Sequence, residues 1–533
     1  MIFNINENVS KNNSGIESAQ FNRFKVFRKK KIPFALVTIA YSPESSRLLL
    51  HEGVYGFPLK KEEYINLYDY FQRSHEATFK KNTLDNIDYG IKGQRLSMQY
   101  NSTFKKIELK DENDKLLVRI DFYQQHHFDN LEDYRKLQVH GVEIFDNFGN
   151  LVQYKVYDYN GWLSSEQIFN PDNSVSNFVY YDINQHIVME EFFQKKNSDD
   201  KLHVTLYTLY DKAGKAHLFN NHVDLLTYFY NSLNDNWDNE PINIFVADRS
   251  SACQESLLEL KHKAYLVFHF HNSQGGRVED EMYSIVNNNY EYALNHLNDF
   301  NASIVATHKQ LVDMKERYGE HKIFQIPVGT VSDKTLKQKN LPINKRTKHS
   351  LIVTARVASE KQIEDMVFAI KDVKKKYPDV VLDVYGYKDG SDNYLEKRRI
   401  EYLVDRYNLQ DNVFLHDYAQ DVASLQRQHQ IYLLASSMEG FNIALMEGLA
   451  QGCIGVVYNV NYGPNELVQD NENGYVVPLN RWDVMRDKIE YLFAHPDKMQ
   501  EMSDKAHELS KRYSNEVVYK QWKKIMEDAY SNL

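Results

Sequence analysis

The sequence predicts an α/β protein: two Rossmann-like domains with an inserted antiparallel β-sheet domain. Three patterns carry that prediction. Residues 1–55 read as strand, loop, helix and strand, the start of a parallel sheet. From about 60 to 205 apolar and polar residues alternate between turn signals, the mark of an antiparallel meander. From about 217 the strand–helix rhythm returns. It pauses at a polar, Lys-rich stretch, 330–347, and then repeats to the C-terminus.

Taken in order, a strand is expected at Met1–Ile5, a polar loop at Asn6–Ser14, a helix from Ile16 to Lys29 and a buried strand at Ile32–Ala40. A helical piece, Lys61–Arg73, opens the insert. Clear alternation follows at 152–159, 177–183 and 203–211, with turns at Asn147–Asn150, Asn160-Gly161, Pro171–Asn173, Asn184-Gln185 and Ala213-Gly214. These read as a hairpin repeat rich in Tyr and Phe. Its aromatics either pair across strands or offer a broad surface to a partner. After helix 223–233 come strands at 242–246, 264–269, 303–306 and 322–326, with helices at 254–261, 278–297 and 308–318 between them. The second α/β domain alternates strands at 350–355, 380–386, 413–416, 431–435, 454–458 and 475–478 with helices, and ends in a helix over 515–530. The expected division is 1–58 and 217–330 for the first Rossmann-like domain, 59–216 for the insert, 331–348 for a linker, 349–510 for the second domain and 511–533 for the last helix.

The chemistry concentrates in 434-LASSMEGFNIALMEGLAQG-452. A strand ends at Ala435, a turn holds Gly440, and a helix begins near Phe441 and stops at Gly452. A helix N-terminus after a Gly-containing turn presents unpaired N–H groups to an anion, and Gly440 would let the backbone come close to a ligand. Glu439 and Glu447, if both helical, lie roughly 12 Å apart. A glycosidase pair flanking one bond needs about 5–9.5 Å. The two acids therefore suit the two ends of one extended ligand, or else are a loop acid and a solvated helix acid. Arg356 and Lys361 follow the first strand of the second domain, where open α/β sheets bind ligands, and could meet phosphate oxygens. Gly15, after Ser14, opens the first helix. His269 and His271 end a strand on one side of it.

The run E-G-F-N-I-A-L-M-E-G-L-A-Q-G resembles the signature of retaining glycosyltransferases of family 4, as does 462-YGPNELVQDNENGYVVP-478. The resemblance implies the glycosyltransferase-B fold, two Rossmann-like domains facing a cleft. It implies that Glu439 and the backbone of Gly440, Phe441, Asn442 and Ile443 hold the donor sugar, that Glu447 holds the ribose, and that Arg356 and Lys361 clamp the diphosphate. It implies that His271, with His269 as second choice, touches the sugar, and that Ser14-Gly15 approach the donor phosphate or the acceptor, although the family usually shows Gly-Gly there. The uracil is expected near Tyr387 or His416. The leaving phosphate is expected to take the acceptor proton, so no protein general base is sought. No metal and no further cofactor is expected, and no metal-ligand cluster is visible in the sequence.

The segments 2-IFNINENVSKNNSGIESAQFNRFKVF-27 and 351-LIVTARVASEKQ-362 resemble the branch that begins O-glycosylation of serine-rich repeat adhesins in Gram-positive bacteria. A cousin branch glycosylates poly(glycerol- or ribitol-phosphate) teichoic acid. The resemblance implies UDP-glucose or UDP-N-acetylglucosamine as donor and a Ser-rich polypeptide as acceptor, with teichoic acid as the alternative. It also implies a homo-oligomer or a partner subunit meeting the inserted sheet. Non-catalytic partner subunits tend to lose the two acids and two cations, and this chain keeps all four.

Composition bounds these readings. The chain has 533 residues, 42% hydrophobic and 26% charged, a net charge of −10 and a pI near 6.1. That range is ordinary for a globular protein and argues against nucleic acid as partner. The longest apolar run, Ile32–Tyr41, is about half of the ~20 residues a bilayer span needs, and no signal peptide is visible, so a cytoplasmic protein is expected. The basic run Arg28–Lys31 either complements the helix C-terminal dipole or touches the inner face of the cell membrane peripherally. Cys253 and Cys453 argue against a disulfide framework; Cys453, beside an apolar strand, reads as a buried inert thiol.

Overall fold

The computed structural model describes residues 1–10, 14–89, 91, 95–124, 128, 130–195, 201–237, 241–277, 280–390, 393–419 and 421–531. The chain divides into two compact units. One comprises Met1–Asn12, Phe34–Asn243 and Ser251–Ala264; the other comprises Asn13–Pro33, Ile244–Ser250 and Tyr265–Leu533. Three sheets run through them: parallel sheets of seven and six strands, and an antiparallel sheet of ten.

In the first unit, strands Ile2–Asn6, Phe34–Thr38 and Tyr64–Asn66 pair in parallel. The ten-stranded sheet runs from Ser97–Asn101 to Ala216–Phe219, each strand bonded to the next in chain order. Its regularity comes from one repeated turn. Asp146 N–H donates to the Asn150 carbonyl (3.0 Å), and Asp146 Oδ1 accepts from the amides of Phe148 and Asn150 (2.7 and 2.9 Å). The fourth residue, Gly149, sits at φ +86°. The same device recurs at Asp111, Asp158, Asp182 and Asp211, with positive φ at Asp114, Gly161, Gln185 and Gly214. An acceptor side chain that holds its own turn, followed by a left-handed residue, is the chemistry of three- to five-residue hairpin loops. The Tyr and Phe residues divide: Tyr134 and Tyr180 are buried, Tyr154, Phe178 and Phe193 are half-buried, Phe148 is exposed, and Tyr68 donates to Glu191 (2.7 Å).

The expected helix over Lys61–Arg73 is broken. A 3₁₀ turn at Lys61–Glu63 leads into the strand Tyr64–Asn66, and only Leu67–Gln72 is helical. Asn66 caps that helix by accepting from Tyr68 and Asp69. The β-branched and aromatic Tyr64-Ile65 pair favours strand, and the Asn that follows starts the helix.

In the second unit, strands Ile244–Ala247, Tyr265–His269, Ala302–Val305 and Ile323–Gln325 pair in parallel in that order. The six-stranded sheet has the order Val413–His416, Val381–Tyr385, Ser350–Thr354, Ile431–Leu434, Ile454–Tyr458, Gly474–Val477. Chain order reverses on either side of Ser350–Thr354, and such a switch point opens a crevice at the carboxyl ends of the strands. Both faces of this sheet are covered. Helix Ile363–Val373, for example, buries Ile363, Met366, Val367, Ile370 and Val373. The expected helix over 278–297 is confined to Glu291–Asn295 among the described residues. Asn287, Asn288 and Asn289 prefer turns and prevent its extension. The polar stretch at 330–347 carries a short helix, Asp333–Lys337.

The first helix, Gly15–Lys30, belongs to this unit, and the last helix, Asn515–Ser531, packs on it. Trp522 meets Phe27 edge-on at 5.3 Å, and the Arg23 guanidinium lies 4.8 Å from the Trp522 ring. The basic run is occupied within the fold. Lys29 pairs with Asp333 (2.5 Å), Lys30 pairs with Glu516 (2.6 Å), and Lys31 is the left-handed C-cap. Arg28, Lys29 and Lys30 lie in the last turn of the helix, where cations favour its dipole. Among the described residues, no helix is long and apolar enough to cross a membrane. Cys453 is buried, its Sγ donating to the Gln426 carbonyl (2.9 Å), and burial pushes the thiol up to about 11.

Candidate functional site

The strand Ile431–Leu434 delivers the turn Ser436–Asn442, and the helix Ile443–Ala450 leaves it. Asn442, at φ +72°, is the N-cap: its side-chain oxygen accepts from Leu445 N (2.8 Å). Its amide Nδ2 also donates to Glu439 Oε1 (2.9 Å). The same carboxylate oxygen accepts from Ser436 Oγ (2.8 Å) and Lys361 Nζ (2.7 Å). Glu439 is therefore a rigid acid at a helix N-terminus, held by three donors at 8% exposure.

Gly440 makes a close approach within the protein itself. A Cβ there would lie 2.1 Å from the His271 carbonyl oxygen and 2.8 Å from Asn272 Cα. The close approach is to the backbone after strand Tyr265–His269, and it seats the motif turn against the histidine loop. Phe441 points inward, buried and edge-on to Tyr513 at 5.5 Å, so only its backbone is available to a ligand. Ile443 packs partly buried against the same cluster.

Glu447, just over one turn into the helix, is unlike Glu439. Among the described residues no side chain hydrogen-bonds its carboxylate. The group is partly exposed yet ringed by protein. Burial pushes its carboxyl up to about 7, with Lys25 on the first helix opposing that rise. Tyr418, which is exposed, also lies within its field: burial and then Glu447 push its phenol up.

The two cations follow strand Ser350–Thr354. Lys361, at the end of a 3₁₀ turn, is committed to Glu439. Arg356 is divided between Glu360 (2.5 Å) and Asp389 (3.1 Å) and remains 39% exposed, so its fork is within reach of a ligand able to displace those carboxylates. Gly386 permits the neighbouring strand end to come close, since a Cβ there would be 2.0 Å from the Ala355 carbonyl. Tyr387, next in sequence, accepts from Val357 N through its backbone (3.0 Å). His416 stacks on Tyr385 (4.3 Å, 14°) and bonds Asp383 through Nε2 (2.6 Å).

At the first helix, Ser14 forms a capping box with Glu17. Ser14 N donates to Glu17 Oε2 (2.7 Å), and Ser14 Oγ accepts from Ile16 N (3.3 Å). Arg249 braces the box, donating to Ser14 Oγ and Glu17 Oε1 at 3.0 Å each. A Cβ on Gly15 would meet no protein atom within 4 Å, so packing does not require glycine there.

His269 and His271 do lie on one side of their strand, rings 3.9 Å apart. Both bond one oxygen of Asp248: His269 through Nδ1 and His271 through Nε2, each at 2.9 Å. The other Asp248 oxygen takes Gln20 (2.9 Å) and Arg23 (2.6 Å). Burial alone would raise the Asp248 carboxyl, but Arg23 and the imidazole N–H donors hold it well below the usual carboxylate range. Burial, then His271, push His269 down to about 3.

Asp248 was not among the residues the sequence pointed to, nor were Arg23, Arg249 or Lys25. The available signal was an acid at the carboxyl end of the strand neighbouring His-x-His. The absence of a metal-ligand cluster expected from the sequence also needs correcting: donor atoms of Asp248, His269 and His271 lie within 4.8 Å of one another. Both Asp248 oxygens are already saturated by four donors, one of them a guanidinium, so its charge is balanced within the protein, and a cation there would face Arg23.

Lys361 and Glu439 thus meet at a helix N-terminus beside a switch point, Arg356 follows the same strand as Lys361, and Glu447, with no hydrogen-bonding side chain among the described residues, lies on the helix that leaves the turn. Such a site can hold an anionic, hydroxyl-rich ligand. Residues 333–509 match the family model described as Glycosyl transferases group 1. The chain is 24% identical to a UDP-N-acetylglucosamine–peptide N-acetylglucosaminyltransferase GtfA subunit of Streptococcus pneumoniae, over 99% of each chain. It is 24% identical to the poly(ribitol-phosphate) alpha-N-acetylglucosaminyltransferase of Staphylococcus aureus, over 98% of each. Its fold matches that of the pneumococcal O-GlcNAc transferase GtfA in complex with UDP and GlcNAc (TM-score 0.78, 21% identity, 99% and 98% covered). It also matches a chain of the GtfA/B complex (TM-score 0.78, 22% identity, 99% of each covered). The C-terminal α/β region thus matches the group 1 glycosyl transferase model, and the chain carries the glycosyltransferase-B fold, two Rossmann-like sheets with an inserted ten-stranded antiparallel sheet.

Proposed function

We propose that this enzyme moves N-acetylglucosamine or glucose from its UDP-sugar to Ser or Thr hydroxyls of a serine-rich polypeptide, with retention of configuration. The observation that carries the reading is the contrast between the two acids. Glu439 is pinned by Lys361, Ser436 and Asn442, whereas Glu447 has no hydrogen-bonding side-chain partner among the described residues. Glu439 and the backbone of Gly440 to Ile443 hold the sugar hydroxyls, and Glu447 takes the ribose hydroxyls. Arg356 and Lys361 meet the diphosphate, where negative charge grows as the bond breaks. Tyr387 or His416 lies near the uracil, and Ser14-Gly15 face the donor phosphate or the acceptor.

The bond from the anomeric carbon to the β-phosphate oxygen breaks, and its electron pair stays on UDP. The acceptor oxygen bonds the same face of that carbon, and its proton passes to the departing phosphate. The products are the glycosylated side chain and UDP. No metal enters this scheme, so EDTA leaves the rate unchanged; a rate lost to EDTA and restored by Mg²⁺ would refute that part.

The pneumococcal relative's name supports a peptide acceptor, and the staphylococcal relative's name keeps poly(ribitol-phosphate) as the second reading. The test offers each UDP-sugar with a Ser-rich polypeptide and with teichoic acid. Transfer to the polypeptide supports the first reading, and label on the polymer alone supports the second. Assembly, with itself or with a partner subunit, is proposed through the inserted sheet, in keeping with the solved GtfA/B complex.

A further inference from the structure

We propose that Asp248 is a positioning residue for the transfer reaction, setting the tautomer of His271. The inference rests on the reading above, in which His271 touches the donor sugar. An ionised carboxylate can only accept hydrogen bonds, so both imidazole nitrogens facing it must carry hydrogen. Asp248 Oδ1 lies 2.9 Å from His269 Nδ1 and 2.9 Å from His271 Nε2. In its neutral form the His271 ring is thereby held with hydrogen on Nε2 and a lone pair on Nδ1. Which nitrogen bears the proton is decided by the bond the other one makes. Nδ1 has no protein partner among the described residues, and so offers a single acceptor suited to a sugar hydroxyl.

Three features hold the carboxylate to that task. Asp248 is fully buried, and its second oxygen is occupied by Arg23 (2.6 Å) and Gln20 (2.9 Å), so it cannot swing away to another donor. Tyr290 fixes the other end of His271, its hydroxyl accepting from the His271 backbone N–H (3.2 Å). His269 serves as a spacer. Its ring packs 3.9 Å from His271, its Nδ1–H faces the same oxygen, and its Nε2 is buried without a partner. An unpaired buried nitrogen is costly. A histidine kept there is explained by the second donor it gives Asp248 and by the ring face it gives His271.

Two measurements test this. The first is the long-range ¹H–¹⁵N spectrum of ¹⁵N-histidine-labelled protein, with His271 assigned by its loss in His271→Gln. Hydrogen on Nε2 with a bare Nδ1 is expected, and hydrogen on Nδ1 would overturn the proposal. This reading is taken on the unliganded wild-type enzyme, so it stands or falls separately from the choice of donor and acceptor. The second is Asp248→Asn, whose amide can donate as well as accept. A fall in kcat of about 10- to 100-fold is expected, the usual effect of losing a partner that orients a histidine, with UDP affinity unchanged within about threefold. Unchanged kcat, or equal losses in kcat and UDP binding, would overturn it. If the variant does not fold, the wild-type spectrum decides.

Discussion

At the residue scale, the two motif glutamates make different predictions. Glu439 Oε1 takes three donors, among them the Lys361 ammonium. Glu439→Gln places a neutral amide against that ammonium and loosens the sugar site, so activity falls more than ~100-fold; a near-normal rate would remove Glu439 from the donor site. Glu447 predicts a pH dependence. Its folded carboxyl sits at about 7, above the ordinary 4.5. In the free enzyme its stabilising contribution is therefore full below about 4.5 and is lost as pH rises through about 7. Ribose hydroxyls donate to the ionised form, so binding favours loss of the proton. UDP affinity should tighten from pH ~6 to ~8, by at most about tenfold per unit. UDP's own phosphate titrates near ~6, so Glu447→Gln is the control, and a wild-type slope no steeper than the variant's would exclude ribose binding by this acid.

At the scale of elements, glycines separate the turns from the site. Gly149→Ala meets open space but keeps φ +86°, so it should cost about 1–2 kcal/mol. Gly161→Ala combines φ +94° with a Cβ 1.5 Å from the Lys80 carbonyl, so its unfolding midpoint should fall further than that of Gly149→Ala. Equal shifts would show that the Lys80 contact is not maintained. Much of this level was legible beforehand: turn residues at 147–150, 160–161, 184–185 and 213–214 mark where hairpins close, because their chemistry is local. The strand Tyr64–Asn66 was hidden because three residues carry no period, and the 278–297 helix was over-extended across an Asn run. The motif turn was legible for the same local reason as the hairpins. Asp248 was not, because it earns its meaning only when a neighbouring strand brings two imidazoles to one oxygen.

At the scale of the whole molecule, the fold was legible from the strand–helix rhythm, and the match of residues 333–509 to the glycosyl transferase model from one 14-residue run. The acceptor was not, because a shared fold serves both peptide and polymer acceptors among the relatives. Acidic net charge mildly favours a neutral polypeptide over a polyphosphate, since like charge slows encounter. The most direct test of the central claim is mass spectrometry of a Ser-rich polypeptide after incubation with UDP-N-acetylglucosamine or UDP-glucose, for wild type and Glu439→Gln. Hexose or N-acetylhexosamine is expected at Ser or Thr with the wild type and almost none with the variant. An unmodified polypeptide with both donors, alongside labelled teichoic acid, would contradict it.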